Sequence, residues 1–130
     1  MEKHILIVDD DAGLGFFLCE SIARLDPEYR VEMACSGTEA LDRIVARPFD
    51  LVVTDLAMPD MDGLEVIRYL RRIHPDARFV LMTAHGNERV EAKARRLGAF
   101  GYLAKPFRMT DFASLVQEAL LTAERIAHVR

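Results

Sequence analysis

Several things that would direct the reading elsewhere are scarce or missing from this chain. It has two cysteines, Cys19 and Cys35. They form neither a disulfide framework nor a metal spacing, and Cys19 falls in a helical pattern, where it reads as a small core residue. A reducing cytoplasm fits this usage. The four histidines, His4, His74, His85 and His128, are scattered and give no metal-ligand pattern. No apolar run approaches the roughly 20 residues that span a bilayer, which excludes a membrane role for such a run. The N-terminus lacks the layout of a secretory signal, because strand-like residues begin at once. Basic residues are not in excess: 17 Lys and Arg against 21 Asp and Glu leave a net charge of -4. The electrostatic footprint of a nucleic-acid binder is therefore absent. Neither glycine-rich phosphate loop is found, and Gly13-Leu14-Gly15 sits in a helical pattern, where it reads as packing. There is no internal repeat and no low-complexity tract.

What is present is a globular composition, 51% hydrophobic and 29% charged, which disfavours disorder. At 130 residues it is one domain, able to bury roughly two-thirds of its unfolded surface. Strand-like runs alternate with helical ones five times. Strands are expected at about 5–8, 31–34, 51–54, 79–82 and 100–104. The first helix carries Leu14, Phe17, Leu18, Ile22 and Leu25, and ends at Asp26-Pro27. Ser36 and Glu39 make a capping box for the second, which carries Ala40, Leu41, Ile44 and Val45. Leu64, Ile67, Leu70 and Ile73 mark the third. The fourth, about 88–97, is charged, with a narrow stripe of Val90, Ala94 and Leu97, and Gly98 as its C-cap. The last carries Phe112, Leu115, Val116, Ala119, Leu120, Ala123 and Ile126. Short apolar strands separated by helices imply a buried parallel sheet with right-handed crossovers and helices on both faces.

Polar landmarks close four of these strands. Asp9, Asp10 and Asp11 follow the first, Asp55 the third, Thr83 the fourth, and Lys105-Pro106 the fifth. In an open parallel sheet the carboxyl ends of the strands line one crevice, and ligands bind there. Asp9-Asp10-Asp11 alone could be three solvated loop charges at a helix start. Asp55 at the same edge changes that reading. Clustered carboxylates repel unless a cation joins them, and two or three carboxylates with a backbone carbonyl and waters suit Mg2+. Asp55 also suits attack on phosphorus to form an aspartyl phosphate. Lys105 would supply positive charge and Thr83 a hydroxyl donor, which is most of what phosphoryl transfer asks of a protein. The bond before Pro106 is of the kind that can be cis. His85 reads as a loop residue that tunes solvent access rather than as a ligand.

Together these residues closely resemble the receiver domain of two-component response regulators. The resemblance runs from Lys3 to about Ala123. It is carried by Ile7-Val8-Asp9-Asp10, by Asp55 through Gly63, by Leu81-Met82-Thr83-Ala84 and by Gly98 through Phe107. It implies a doubly wound α/β fold of flavodoxin-like (βα)5 type, with strand order 2-1-3-4-5. It implies that Asp55 is phosphorylated and that Mg2+ is held by Asp9, Asp10, Asp55 and the backbone carbonyl of Ala57. By the same resemblance Thr83 and Lys105 bind the phosphoryl oxygens, Lys105-Pro106 is cis, and Tyr102 is an aromatic rotamer switch. Ala57 and His85 occupy variable positions that affect how fast the phosphoryl group is lost. Asp11 adds a third acid beside the pair.

Residues 1–123 are then the receiver domain, and 124–130 the end of the last helix or the start of a linker to an output domain. The wording around Gly98-Ala99-Phe100 and Thr83-Ala84-His85 looks like receivers of enhancer-binding transcription regulators. The implied partners are a sensor histidine kinase or phosphotransfer protein, an output domain or target, and a second copy in a phosphorylation-dependent homodimer. The domain itself would bind neither nucleic acid nor membrane. It would not be an enzyme in the ordinary sense, catalysing only its own phosphorylation and dephosphorylation. A small phosphatase or hydrolase with Asp55 as nucleophile is the alternative. Haloacid-dehalogenase-type phosphatases want a second Asp where this chain has Ala57, and a flavin binder of this fold wants a Ser/Thr/Gly-rich loop where it has aspartates.

Overall fold

A computed structural model describes residues 1–129, with side chains described as far as Leu121. The elements alternate from end to end: β1 (Lys3–Val8), α1 (Ala12–Ala23), β2 (Tyr29–Ala34), α2 (Gly37–Ala46), β3 (Leu51–Asp55), α3 (Gly63–Ile73), β4 (Arg78–Thr83), α4 (Glu88–Leu97), β5 (Gly101–Ala104) and α5 (Met109–Val129). The strands form one parallel sheet in the order 2-1-3-4-5. The expected architecture is therefore observed.

Strand residues alternate between faces, so each strand feeds two cores. Leu6, Val8, Val52 and Leu81 meet Ala40 and Ile44 of α2, Val66, Ile67 and Leu70 of α3, and Ala94 of α4. On the opposite face Ile5, Ile7, Leu51, Val53, Val80 and Met82 meet Leu18 and Ile22 of α1 and Phe112, Val116, Ala119 and Leu120 of α5. Every residue of the central β3 is buried. Each fully buried Leu, Ile or Val there contributes about 1.5–3 kcal/mol relative to exposure.

Helix starts are fixed by side chains that accept the otherwise orphaned N–H groups. Asp11 takes the Leu14 N–H at 3.1 Å, Ser36 that of Glu39 at 3.1 Å, Asp62 that of Glu65 at 2.9 Å and Asn87 that of Val90 at 2.9 Å. The Glu39 carboxylate reaches back to the Cys35 N–H at 2.9 Å, one residue further out than a capping box implies. Gly98 ends α4 at φ +90°, in the left-handed region that favours glycine.

Some boundaries differ from the sequence reading. β2 begins at Tyr29 rather than 31, because Lys3 and Tyr29 pair across to β1. β5 starts at Gly101, with the Phe100 N–H still bonded to the Phe79 carbonyl at 2.9 Å. In α1 the apolar stripe is broader than the buried face: Phe17 and Leu25 are exposed, and Leu25 lies past the helix end. Only Ala94 of α4 is buried, as its narrow stripe implies. The side chains of Ala123 and Ile126, and the expected linker start at 124–130, lie outside the described residues.

Candidate functional site

The sheet register places four strand ends side by side. Val8 is level with Thr54, Asp55 with Met82, and Thr83 with Ala104. The next residue or two along each strand therefore reaches the same crevice. Asp9 is fully buried and Asp55 is 6% exposed, while Asp10 is exposed. Each of these three acids offers a carboxylate oxygen within 4.8 Å of the other two. Asp11 stands apart as the α1 cap.

Lys105 closes the cluster from β5. Its Nζ donates to Asp9 Oδ2 at 2.8 Å and to Asp55 Oδ2 at 3.4 Å. Asp9 Oδ1 accepts the Asp11 N–H at 2.9 Å, which orients that carboxylate. The backbone holds Lys105 in place: its N–H donates to the Thr83 carbonyl at 2.7 Å, and its bond to Pro106 is cis.

Burial pushes the Asp55 carboxyl above its ordinary value. The Lys105 charge opposes this, and the Asp9 and Asp10 charges add to it. Burial by itself would lower the Lys105 ammonium, but its bond to Asp9 and the charges of Asp9 and Asp55 overcome that and raise it. The two shifts are consistent. One ammonium against three carboxylates leaves the crevice with surplus negative charge. Hard oxygen donors and uncompensated anionic charge fit a divalent cation of the Mg2+ type.

Around this centre, Thr83 is 4% exposed and its Oγ1 accepts the His85 N–H at 3.1 Å. His85 and Ala57 are exposed. Both line a cavity of about 390 Å3 that also touches Leu56, Leu64, Thr83 and Ala94. Tyr102 points inward. Its ring packs on the core shared by α2, α3 and α4, and its buried hydroxyl has no hydrogen-bond partner. A Cβ at Gly63 would collide with the Asp55 backbone carbonyl, so the start of α3 comes this close only because glycine stands there, and one at Gly86 would meet the Tyr102 hydroxyl in its inward position. Burial raises the Cys19 thiol to about 11, an unreactive value that suits a packing role.

Asp60, in the loop between β3 and α3, has a role that its sequence context does not mark. Its carboxylate binds the start of α2, accepting from Gly37 N–H at 3.1 Å, Thr38 N–H at 2.9 Å and Thr38 Oγ1–H at 2.7 Å. The partners lie 22 and 23 residues upstream, so no local pattern marks them.

The profile of the response regulator receiver domain family matches residues 5–117. The chain belongs to that family. It is 33% identical over 120 residues to sporulation initiation phosphotransferase F of Bacillus subtilis, covering 92% of this chain and 95% of that protein. It is 38% identical over 117 residues to the DNA-binding transcriptional regulator NtrC of Azospirillum brasilense, covering 89% of this chain but 24% of that protein. The chain thus spans about a quarter of the length of NtrC. Among solved structures, the receiver domain protein of Methanospirillum hungatei JF-1 superposes with a TM-score of 0.87 at 27% identity, covering 96% of this chain and 98% of that one. Receiver domains are signalling domains of two-component systems, and they bind Mg2+ at an acidic pocket. Among the described residues of this receiver, Asp9, Asp10 and Asp55 are the acidic group that could hold a metal. No helix among them is long and apolar enough to cross a membrane.

Proposed function

We propose that this receiver is a phosphoacceptor switch that takes a phosphoryl group from a phosphohistidine onto Asp55. The observation that carries the reading is the Asp55 carboxylate at the end of the central strand, 3.4 Å from the Lys105 ammonium and beside the Asp9 and Asp10 carboxylates. An Asp55 oxygen attacks phosphorus in line as the bond from phosphorus to the histidine nitrogen breaks. The imidazole leaves, and an acyl phosphate forms. Asp9, Asp10, Asp55 and the Ala57 carbonyl are the groups that would hold Mg2+, which when bound neutralises the phosphoryl oxygens. Lys105 supplies further positive charge from the other side. Thr83 Oγ1 accepts the His85 N–H at 3.1 Å, which leaves its own hydroxyl hydrogen to donate to a phosphoryl oxygen. Ala57 and His85, at the mouth of the crevice, govern access of the hydrolytic water and so the lifetime of the phosphorylated form.

Three added acceptor oxygens and the charge at Asp55 draw Thr83 and Lys105 together. Tyr102 then reports the change to the face of α4, β5 and α5. The lightly anchored α4, with one buried residue, is the element a few kcal/mol can bias. A sensor histidine kinase or phosphotransfer protein is the donor. Residues 1–123 act as the domain, and 124–130 lead toward an output domain or target. The phosphorylated face supports a homodimer, and the domain works in the cytoplasm.

The test is titration with beryllofluoride and Mg2+, followed by amide chemical shifts. Changes are expected at Asp55, Ala57, Thr83 and Lys105 and along 83–105, with the distal part lost in Tyr102→Ala. Changes confined to the loop after Asp55 would remove the switch. No Mg2+-dependent change at all would remove the phosphoacceptor reading.

A further inference from the structure

We infer that Asp60 is a positioning residue for the phosphoacceptor site: by gripping the start of α2 it holds the β3–α3 loop, and with it the Ala57 carbonyl, in the conformation the site uses. This rests on the phosphoacceptor reading above. Among the described residues, Asp60 makes the only hydrogen bonds of the segment 57–61, and all its partners outside that segment are in α2. The segment is otherwise closed only at its base, where Leu56 N–H donates to the Met82 carbonyl at 2.9 Å and Gly63 N–H to the Leu56 carbonyl at 2.8 Å. Met61 adds an apolar tie to the same helix. It lies so close over Gly37 that a Cβ there would sit 2.6 Å from its own Cβ.

The grip serves both sides: for α2 it takes the Gly37 and Thr38 N–H groups, two donors that the helix itself leaves unpaired. That helix has its own cap in Ser36, which accepts the Glu39 N–H at 3.1 Å. The segment 57–61, by contrast, has no other hydrogen bond among the described residues, so it depends on Asp60 more than α2 does. The Thr38 hydroxyl and the Thr38 and Gly37 N–H groups hold the Asp60 carboxylate down at about 2, so it stays an anion facing the positive end of the helix. The loop is thus strapped at one end by Asp55 and near the other by α2, with Ala57 between.

The experiment compares wild type with Asp60→Ala, Asp60→Asn, Thr38→Val and Ser36→Ala. It reads Mg2+ binding by calorimetry, the rate of labelling by acetyl phosphate at low and saturating Mg2+, and thermal melting. Asp60→Ala should weaken Mg2+ about ten-fold, at the low end of what outer partners of metal ligands contribute. Labelling should slow at low Mg2+ and recover at saturation. Asp60→Asn keeps an acceptor for α2 and should restore part of the affinity, and Thr38→Val should fall between. Ser36→Ala removes the local cap of α2, so it should lower the melting temperature and leave Mg2+ affinity as in wild type. If wild type is labelled while Asp60→Ala binds Mg2+ and labels as wild type does, the inference is overturned and the phosphoacceptor reading stands. It is equally overturned if Ser36→Ala weakens Mg2+ as much as Asp60→Ala. A wild type that takes no phosphoryl group overturns the phosphoacceptor reading, and the inference with it.

Discussion

Replacing Asp55 by Asn should stabilise the metal-free protein. The Asp55 carboxylate has two like charges with oxygens within 4.8 Å and one ammonium at 3.4 Å. At an effective dielectric near 20, each repulsion is about 3 kcal/mol and the attraction about 5 kcal/mol. The exposed Asp10 contributes less than this because water screens it. Charge interactions therefore nearly cancel, and desolvation of a residue only 6% exposed decides the sign. Asn keeps the shape and an oxygen for Lys105 without the charge. A gain of about 1–2 kcal/mol is expected, or about 3–8 °C in melting temperature for a chain of this size.

The pH dependence follows from the raised carboxyl of Asp55. The folded state holds that proton more tightly than the unfolded state, whose value is near 3.8. Ionisation therefore costs stability, and the cost appears as pH rises through the folded-state pKa. The advantage of Asn should be full at pH 7 and vanish as pH falls toward 4. Mg2+ at one hundred times its dissociation constant stabilises wild type by about 2.7 kcal/mol, and so should reverse the order. Thermal melts in chelator and in Mg2+, at pH 4 and pH 7, make the test. An Asn variant less stable than wild type in chelator at pH 7, or an advantage independent of pH, would refute the electrostatic account.

Lys105→Met leaves two buried carboxylates without their ammonium and should cost about 3 kcal/mol in chelator, part of it regained with Mg2+, as read by urea denaturation. Tyr102→Phe removes a buried hydroxyl that has no partner, and should raise stability by about 1 kcal/mol in the same assay; a loss would show that the hydroxyl is bonded in solution. Gly98→Ala meets no steric obstacle, yet at φ +90° it should cost about 1 kcal/mol, and an unchanged urea midpoint would count against the left-handed cap.

The strand and helix order was legible because each parallel strand is a short apolar run and each helix has its own periodic stripe. β3 and the pairing of Ile67 and Leu70 with Ala40 and Ile44 are the clearest cases, whereas Val66 joins the buried face of α3 outside the expected stripe and Ile73 of that stripe is exposed. The proximity of Asp9, Asp55, Thr83 and Lys105 was legible for a topological reason: each closes a strand, and parallel strands end at one edge. What escaped depends on pairing between distant segments. β2 starts two residues early because Lys3 offers it a partner. Phe17 sits in the α1 stripe by spacing but is exposed, since periodicity marks which residues share a side and not how wide the covering surface is. Asp60 could not be assigned from its neighbours, because its partners belong to another helix. The inward Tyr102 is likewise a product of packing against Gly86 rather than of its own sequence context.

The central claim is tested most directly by incubating the intact protein with acetyl phosphate and Mg2+, measuring its mass, and mapping the modified peptide. One added phosphoryl group on Asp55, lost in chelator and in Asp55→Asn, is the predicted result. Labelling that persists in Asp55→Asn on the same peptide map, or no labelling of wild type in Mg2+, would contradict it.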